Sequence, residues 1–121
     1  MNYPILLRRM GMSTISRIDN NLVDVIKLSA NYPSIIRMGV FGSYARGDYT
    51  HDSDIDIVYD YDDTMIDDML DCIEDISERI KQKIDFVAYY LLFKKNMDAY
   101  DISFRDNVLK EVVWIYDRDS G

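Results

Sequence analysis

Three aspartates of this chain occupy positions from which their carboxylates could act together. Asp54 and Asp56 alternate with Ile55 and Ile57 in the run DIDIVY. Successive side chains of a β-strand point to opposite faces, so the isoleucines are predicted in a core and both carboxylates on the other face. Asp85 follows the same pattern in KIDFVAYY. Carboxylates on one face repel each other unless a cation lies between them, and Mg²⁺ prefers such oxygen ligands.

A Gly-Ser pair precedes these acids and predicts a site for an anion. The apolar run from Ile35 to Phe41 reads as a buried strand that ends at Gly42, and a glycine there lets a ligand approach the backbone closely. Ser43 would begin a short helix and add a hydroxyl donor for a phosphate, while Arg46 could support the loop or the phosphates. With Asp85 as a third ligand, the arrangement could hold two metal ions, which is typical of phosphoryl displacement.

Two other chemistries fit these residues poorly. The run DSDIDI begins like a calcium-binding loop, but Ile57 stands where the loop needs glycine and Asp63 stands where it needs glutamate. Ser43 as a hydrolase nucleophile would need a general base to take its proton, and the chain has only one histidine, His51, for that role. The sequence therefore favours a metal-assisted reaction over calcium binding or hydrolysis.

Structural explanations remain open for individual residues. Asp54 and Asp56 could be exposed loop acids, and Asp85 could be a surface residue at a strand edge. Arg46 could pair with Asp48 or Asp52 instead of binding phosphate. Each structural alternative predicts contacts that differ from those of a residue that binds a metal or a phosphate.

Composition limits the class of protein. The 121 residues, 48% of them hydrophobic, fit one globular domain, and 14 basic against 22 acidic residues give a net charge of −8. An acidic chain is predicted not to bind nucleic acid directly, because that binding depends on neutralising phosphates. The apolar runs are too short to span a membrane, and the basic residues near the N-terminus follow the apolar ones, the reverse of a secretion signal. We predict a cytoplasmic protein.

Hydrophobic periodicity predicts alternating helices and strands. A helix is expected from about Asn20, capped by Asn20 or Asn21, and a second over 65–81, capped by Thr64 with Asp67. Its apolar stripe consists of Ile66, Met69, Leu70, Ile73, Ile76 and Ile80. Strands are expected over 35–41, 54–59 and 83–93, followed by a short helix and an apolar strand. This order predicts an α+β or α/β domain with one sheet.

The motif GSx₁₀DxD, formed by Gly42-Ser43 and Asp54-Ile55-Asp56, resembles the signature of the nucleotidyltransferase fold shared with DNA polymerase beta. The stretch GSYARGDYTHDSDIDIVY is similar to that family throughout. The short chain resembles minimal nucleotidyltransferase (MNT) domains, the antitoxin half of HEPN/MNT toxin–antitoxin pairs. The resemblance covers residues 21–121 and implies a small mixed β-sheet flanked by helices, whereas residues 1–20 form an N-terminal extension of unknown role.

The resemblance implies roles for seven residues. Gly42, Ser43, Arg46 and Ser53 would bind the nucleotide, and the catalytic acids Asp54, Asp56 and Asp85 would bind two Mg²⁺ ions. ATP would donate AMP to a tyrosine of a HEPN toxin, with release of pyrophosphate.

Two alternative functions remain open at this point. The protein could be an antitoxin that acts mainly by stoichiometric binding, or a nucleotidyltransferase acting on small molecules such as aminoglycosides. The acidic stretch from Asp60 to Asp75 is expected beside the site, where it could attract a basic toxin.

Overall fold

The computed structural model describes residues 18–120, which form one mixed sheet with helices on both faces. The elements in chain order are α1 Asn20–Ile26, β1 Ile35–Phe41, α2 Ser43–Arg46, β2 Ile55–Tyr61, α3 Ile66–Arg79, β3 Ile84–Ala88, α4 Ala99–Glu111 and β4 Val113–Asp117. Two 3₁₀ turns, Lys27–Asn31 and Tyr89–Phe93, follow α1 and β3. The predicted fold class, a small mixed sheet flanked by helices, is confirmed.

The four strands lie in the order β3-β2-β1-β4. β1 is antiparallel to both β2 and β4, whereas β2 and β3 are parallel, with α3 as their crossover. A parallel pair needs such a crossover because the chain must return to the same end of the sheet. The ends of β2 and β3 that begin each strand therefore lie side by side.

The two faces of the sheet differ in how they are covered. The main core lies on the face that we call the α3 face, where Ile55 and Ile57 of β2 pack against α1 and α3. The opposite face, the α4 face, carries a smaller buried cluster of Phe41, Val58, Leu92 and Val108. Alternation along β2 therefore places even-numbered side chains, Asp56 among them, on the less covered α4 face.

The predicted helix caps are wrong, although the helices are confirmed. Asp19, rather than Asn20 or Asn21, caps α1 by accepting a hydrogen bond from the Leu22 N–H at 3.1 Å. α3 begins after Met65, which makes no side-chain cap bond. The Thr64 hydroxyl instead donates to Asp62 at 2.6 Å, so a local turn uses the group that was expected to cap the helix.

Two apolar segments also differ from expectation. The strand predicted over 83–93 ends at Ala88, because β3 is an edge strand whose pairing with β2 ends at Tyr59↔Ala88. The following turn instead places Leu92 in the small cluster. In α3 the predicted stripe is too wide: Ile66 and Leu70 are exposed, and Cys72 is buried beside Met69 and Ile76.

Residues 1–17, which make up most of the predicted N-terminal extension, lie outside the described residues. Ile18, the first described residue, is buried in the main core. Within residues 18–120, no helix is long and apolar enough to cross a membrane. The predicted location in the cytoplasm remains a prediction.

Candidate functional site

The parallel pairing of β2 and β3 brings the predicted acids together. Asp56 is the register partner of Asp85, and side chains at paired positions of adjacent strands point to the same face. Asp54 lies two residues before Asp56 and, in extended chain, points the same way. The three carboxylates thus share the α4 face where β2 and β3 begin.

Gly42 lies against the central carboxylate of this group. It has φ +70° and ψ −151°, a conformation that side chains with a Cβ rarely adopt. A Cβ built on Gly42 would collide with the Asp56 Oδ2 atom. The position therefore requires glycine for two independent reasons, and the backbone of Gly42-Ser43 borders the carboxylates directly.

Asp56 has no ion-pair partner among the described residues, unlike Asp60 on the same face of β2. Asp60, four residues along β2, lies 3.8 Å from the Arg37 guanidinium. No cationic side chain of residues 18–120 reaches Asp56 at ion-pair distance. Burial, followed by the negative charges of Asp85 and Asp54, raises the pKa of the Asp56 carboxyl above its ordinary value of 3.8. The positive charge of Arg46 acts in the opposite direction but does not cancel this shift, so the ionised form of Asp56 is disfavoured and a bound cation would stabilise it.

The residues present fit a divalent cation, although the site is not fully assembled. Among the described residues, no three potential ligands are already close enough together to hold a metal ion. The Lys83 Nζ atom, however, lies 3.7 Å from Asp54 Oδ2 and 3.8 Å from Asp85 Oδ1, so one cation can contact both carboxylates. Both acids are about half exposed, which leaves room for water and phosphate ligands.

The other predicted nucleotide-binding residues lie near the three aspartates, and each makes its own set of contacts. Ser43 begins α2 next to Gly42 and is partly buried. Arg46 pairs with Asp48 at 3.2 Å and with Glu111 at 2.8 Å, in agreement with the structural alternative for this residue. The Ser53 hydroxyl accepts a hydrogen bond from the Thr50 N–H at 2.9 Å. Their roles toward a nucleotide remain predictions.

Two neighbours of the site were missed by the sequence analysis. Lys83 stands two residues before Asp85, so strand alternation could have placed it on the same face. Glu111, at the end of α4, reaches the site only because α4 packs on the sheet, and no spacing in the sequence indicates its contact with Arg46.

The acidic stretch was expected beside the site, and for its first members, Asp60, Asp62 and Asp63, this expectation is wrong. β2 extends away from Asp56, and Asp60 lies four residues, or roughly 13 Å, further along the strand. A cavity of about 570 Å³ is found at this far end. Its lining residues are Ile36, Asp60, Tyr61, Asp62, Asp63, Tyr90 and Arg118. Acids near Asp60 therefore cannot act on a ligand at Asp56 by contact.

Because the charged form of Asp56 is disfavoured in the folded protein, removing this charge should increase stability. In metal-free buffer at pH 7, Asp56→Asn should raise Tm, because it removes a carboxylate that is destabilised by burial and by Asp85 and Asp54. The gain should shrink as pH falls and disappear below the ordinary pKa of 3.8, where wild-type Asp56 is protonated in both the folded and the unfolded chain. Thermal melts across pH in EDTA measure it.

Asp60→Asn is the matched control for this prediction. It removes a carboxylate from the same face of the same strand, but one that Arg37 accompanies. We expect its Tm at pH 7 to be unchanged or lower. A lower Tm for Asp56→Asn would show that the charge at Asp56 is compensated in the free protein.

Comparison with protein families gives one match over most of the chain. The family model described as "Polymerase beta, Nucleotidyltransferase" matches residues 23–121. A protein of Methanocaldococcus jannaschii named "putative protein adenylyltransferase" is 32% identical over 80 residues, which cover 64% of this chain and 80% of that protein. The matched range, residues 23–121, contains Gly42-Ser43 and all three acids.

Solved structures show the same fold at lower identity. A "putative minimal nucleotidyltransferase" superposes with a TM-score of 0.56 at 23% identity, covering 86% of this chain and 95% of the other. A structure described as a toxin–antitoxin with AMP-PNP superposes with a TM-score of 0.57 at 18% identity, covering 84% and 77%. These likenesses support the fold that the strand order and register define.

Proposed function

Because this chain belongs to the polymerase beta nucleotidyltransferase family, we propose that it transfers AMP from ATP to a tyrosine of a cognate HEPN ribonuclease toxin. The observation that carries the proposal is the convergence of Asp54, Asp56 and Asp85 on one face of the sheet, against the backbone of Gly42. Support for a protein acceptor comes from the relative named "putative protein adenylyltransferase". Support for a toxin partner comes from the toxin–antitoxin structure of the same fold.

In this proposal the acids would hold Mg²⁺, which is the cation their donor set suits. Asp54 and Asp56 would be ligands, and Asp85 would complete the site as a ligand or base. Bound there, divalent cations would neutralise the phosphates and orient the reacting oxygens. Asp56 is the residue whose free carboxylate most requires a cation, because burial and two neighbouring charges disfavour its ionised form.

The protein groups would position ATP and the acceptor for an in-line displacement. The tyrosine hydroxyl oxygen would attack the α-phosphorus of ATP, and the bond from that phosphorus to the β-phosphate oxygen would break, releasing pyrophosphate. The phenolic proton would pass to the Asp85 carboxylate or to water. Gly42 would let the phosphates approach the backbone, and the Ser43 hydroxyl would donate a hydrogen bond to a phosphate oxygen.

Mass spectrometry of the partner tests the transfer itself. The purified protein, incubated with ATP, Mg²⁺ and a cognate HEPN toxin, should increase the toxin mass by whole AMP units. The modified toxin should remain inactive after the two proteins are separated. A toxin that is inhibited only while bound, and that keeps its original mass, would contradict the proposal and favour stoichiometric binding.

The role of Ser43 gives a prediction about affinity. Ser43→Ala should weaken ATP binding by about one to two orders of magnitude, because a hydroxyl donor to a charged oxygen is worth about 1.5–3 kcal/mol. Calorimetric titration with ATP and Mg²⁺ measures the change. Ser103→Ala is the control, since Ser103 is an exposed serine of α4 and its loss should leave the affinity unchanged. Equal affinities for both variants would remove Ser43 from the phosphate site.

A further inference from the structure

Lys83 lies between two of the three acids but belongs to no motif identified above. Its Nζ atom is 3.7 Å from Asp54 Oδ2 and 3.8 Å from Asp85 Oδ1. Its backbone is fixed, because the Lys83 carbonyl accepts a hydrogen bond from the Ile55 N–H at 2.9 Å where β2 and β3 begin. The lysine side chain therefore starts from a fixed point beside both acids.

The contacts of Lys83 are those of a loose counter-ion. Both distances exceed hydrogen-bond length, and the lysine side chain is 70% exposed. Ion pairs of this kind contribute little to stability, so the ammonium can leave at small cost. While it stays, it offsets the repulsion between Asp54 and Asp85 and leaves Asp56 unaccompanied.

A divalent cation and the ammonium cannot occupy this position together. Mg²⁺ binds carboxylate oxygens at about 2.0–2.1 Å, whereas the ammonium attracts the same oxygens of Asp54 and Asp85. Two positive charges within a few ångströms repel each other, so a bound divalent cation disfavours the bridging position of Lys83. The flexible four-carbon side chain permits the ammonium to move into solvent.

On this basis, and resting on the metal site of the proposed function, we propose that Lys83 is a built-in counter-ion that a divalent cation must displace. It holds Asp54 and Asp85 near each other in the metal-free protein. It also lowers the affinity of the site for the metal, because the metal must compete with it. Lys83 is thus a positioning residue that sets the metal concentration at which the site fills.

Titration with Mn²⁺ in the absence of nucleotide tests this competition. Lys83→Met keeps the length of the side chain and removes its charge. We expect it to bind Mn²⁺ about three- to tenfold more tightly than wild type, because two weak ion pairs no longer oppose the metal. Electron paramagnetic resonance of free Mn²⁺ gives the affinities. In EDTA, the Tm of this variant should be equal to that of wild type or only slightly lower, because such exposed ion pairs contribute little to stability.

Lys81→Met is the control, because it removes an equal charge two residues away. Lys81 makes no ion pair within the described part of the chain, so its loss should change Mn²⁺ affinity by less than about twofold. Lys83→Arg should retain weak binding like wild type. If Lys83→Met binds Mn²⁺ no more tightly than Lys81→Met, or more weakly than wild type, the proposal is wrong.

The outcome is separable from that of the proposed function. Tighter Mn²⁺ binding by Lys83→Met, together with a wild-type protein that adds no AMP to the toxin, would support the counter-ion and refute the transfer. AMP transfer by the wild-type protein, together with equal Mn²⁺ affinities of Lys83→Met and Lys81→Met, would support the transfer and refute the counter-ion. Failure of every variant to bind Mn²⁺ would overturn the counter-ion proposal, because no competition would then exist.

Discussion

Asp54→Ala/Asp56→Ala should reduce AMP transfer to the toxin by at least about 10³-fold, the scale expected when charge stabilisation of a phosphoryl transfer is removed. Two of the three carboxylates of the proposed metal site would be lost, and Asp85 alone would not hold the cations proposed to neutralise the phosphates. Incorporation of labelled AMP into the toxin measures the rate. Adding EDTA to the wild-type protein should have the same effect as the double substitution.

The double variant should still fold and bind the toxin. Both acids project away from the main core, and removing Asp56 relieves a repulsion in the metal-free protein. Asp60→Ala is the control on the same strand and face, at the far end from the site, and should keep the transfer rate within a few-fold. If the double variant still transferred AMP, these acids could not form the catalytic site.

Gly42→Val should weaken ATP binding by about 10²-fold or more. The added Cβ would collide with the Asp56 carboxylate. The two methyl groups of valine would also fill the space proposed for a phosphate beside the backbone. The positive φ of Gly42 adds strain for any residue with a Cβ. Calorimetric titration with ATP and Mg²⁺ measures affinity, and circular dichroism checks that the variant is folded.

Gly47→Val separates backbone strain from steric blocking. Gly47 also has a positive φ, +88°, but a Cβ there would meet nothing within 4 Å. This variant should lose stability by about 1–2 kcal/mol, from the left-handed conformation alone, and keep its affinity for ATP. If the two variants bind ATP equally, the close approach at Gly42 has no role in nucleotide binding.

Much of the fold was predictable because β-strands impose a period of two. The alternation of Asp54 and Asp56 with isoleucines indicated which side chains enter the core, and β2 confirms it. The strand that ends at Gly42 and the short helix that follows were also predicted, since glycine and apolar runs mark such boundaries locally. The helix caps were not, because several polar residues near each helix start compete and tertiary packing decides among them.

The sequence by itself determined the types, order and spacing of the groups: a Gly-Ser pair, two alternating aspartates and a third aspartate in a later strand. Only the tertiary structure decided which of them meet. The parallel register of β2 and β3 pairs Asp56 with Asp85 and places Lys83 between Asp54 and Asp85. The direction of β2 carries Asp60, Asp62 and Asp63 to the other end of the sheet. Periodicity fixes the face on which a side chain lies, but strand pairing across the chain fixes its neighbours, and that pairing depends on contacts between residues distant in sequence.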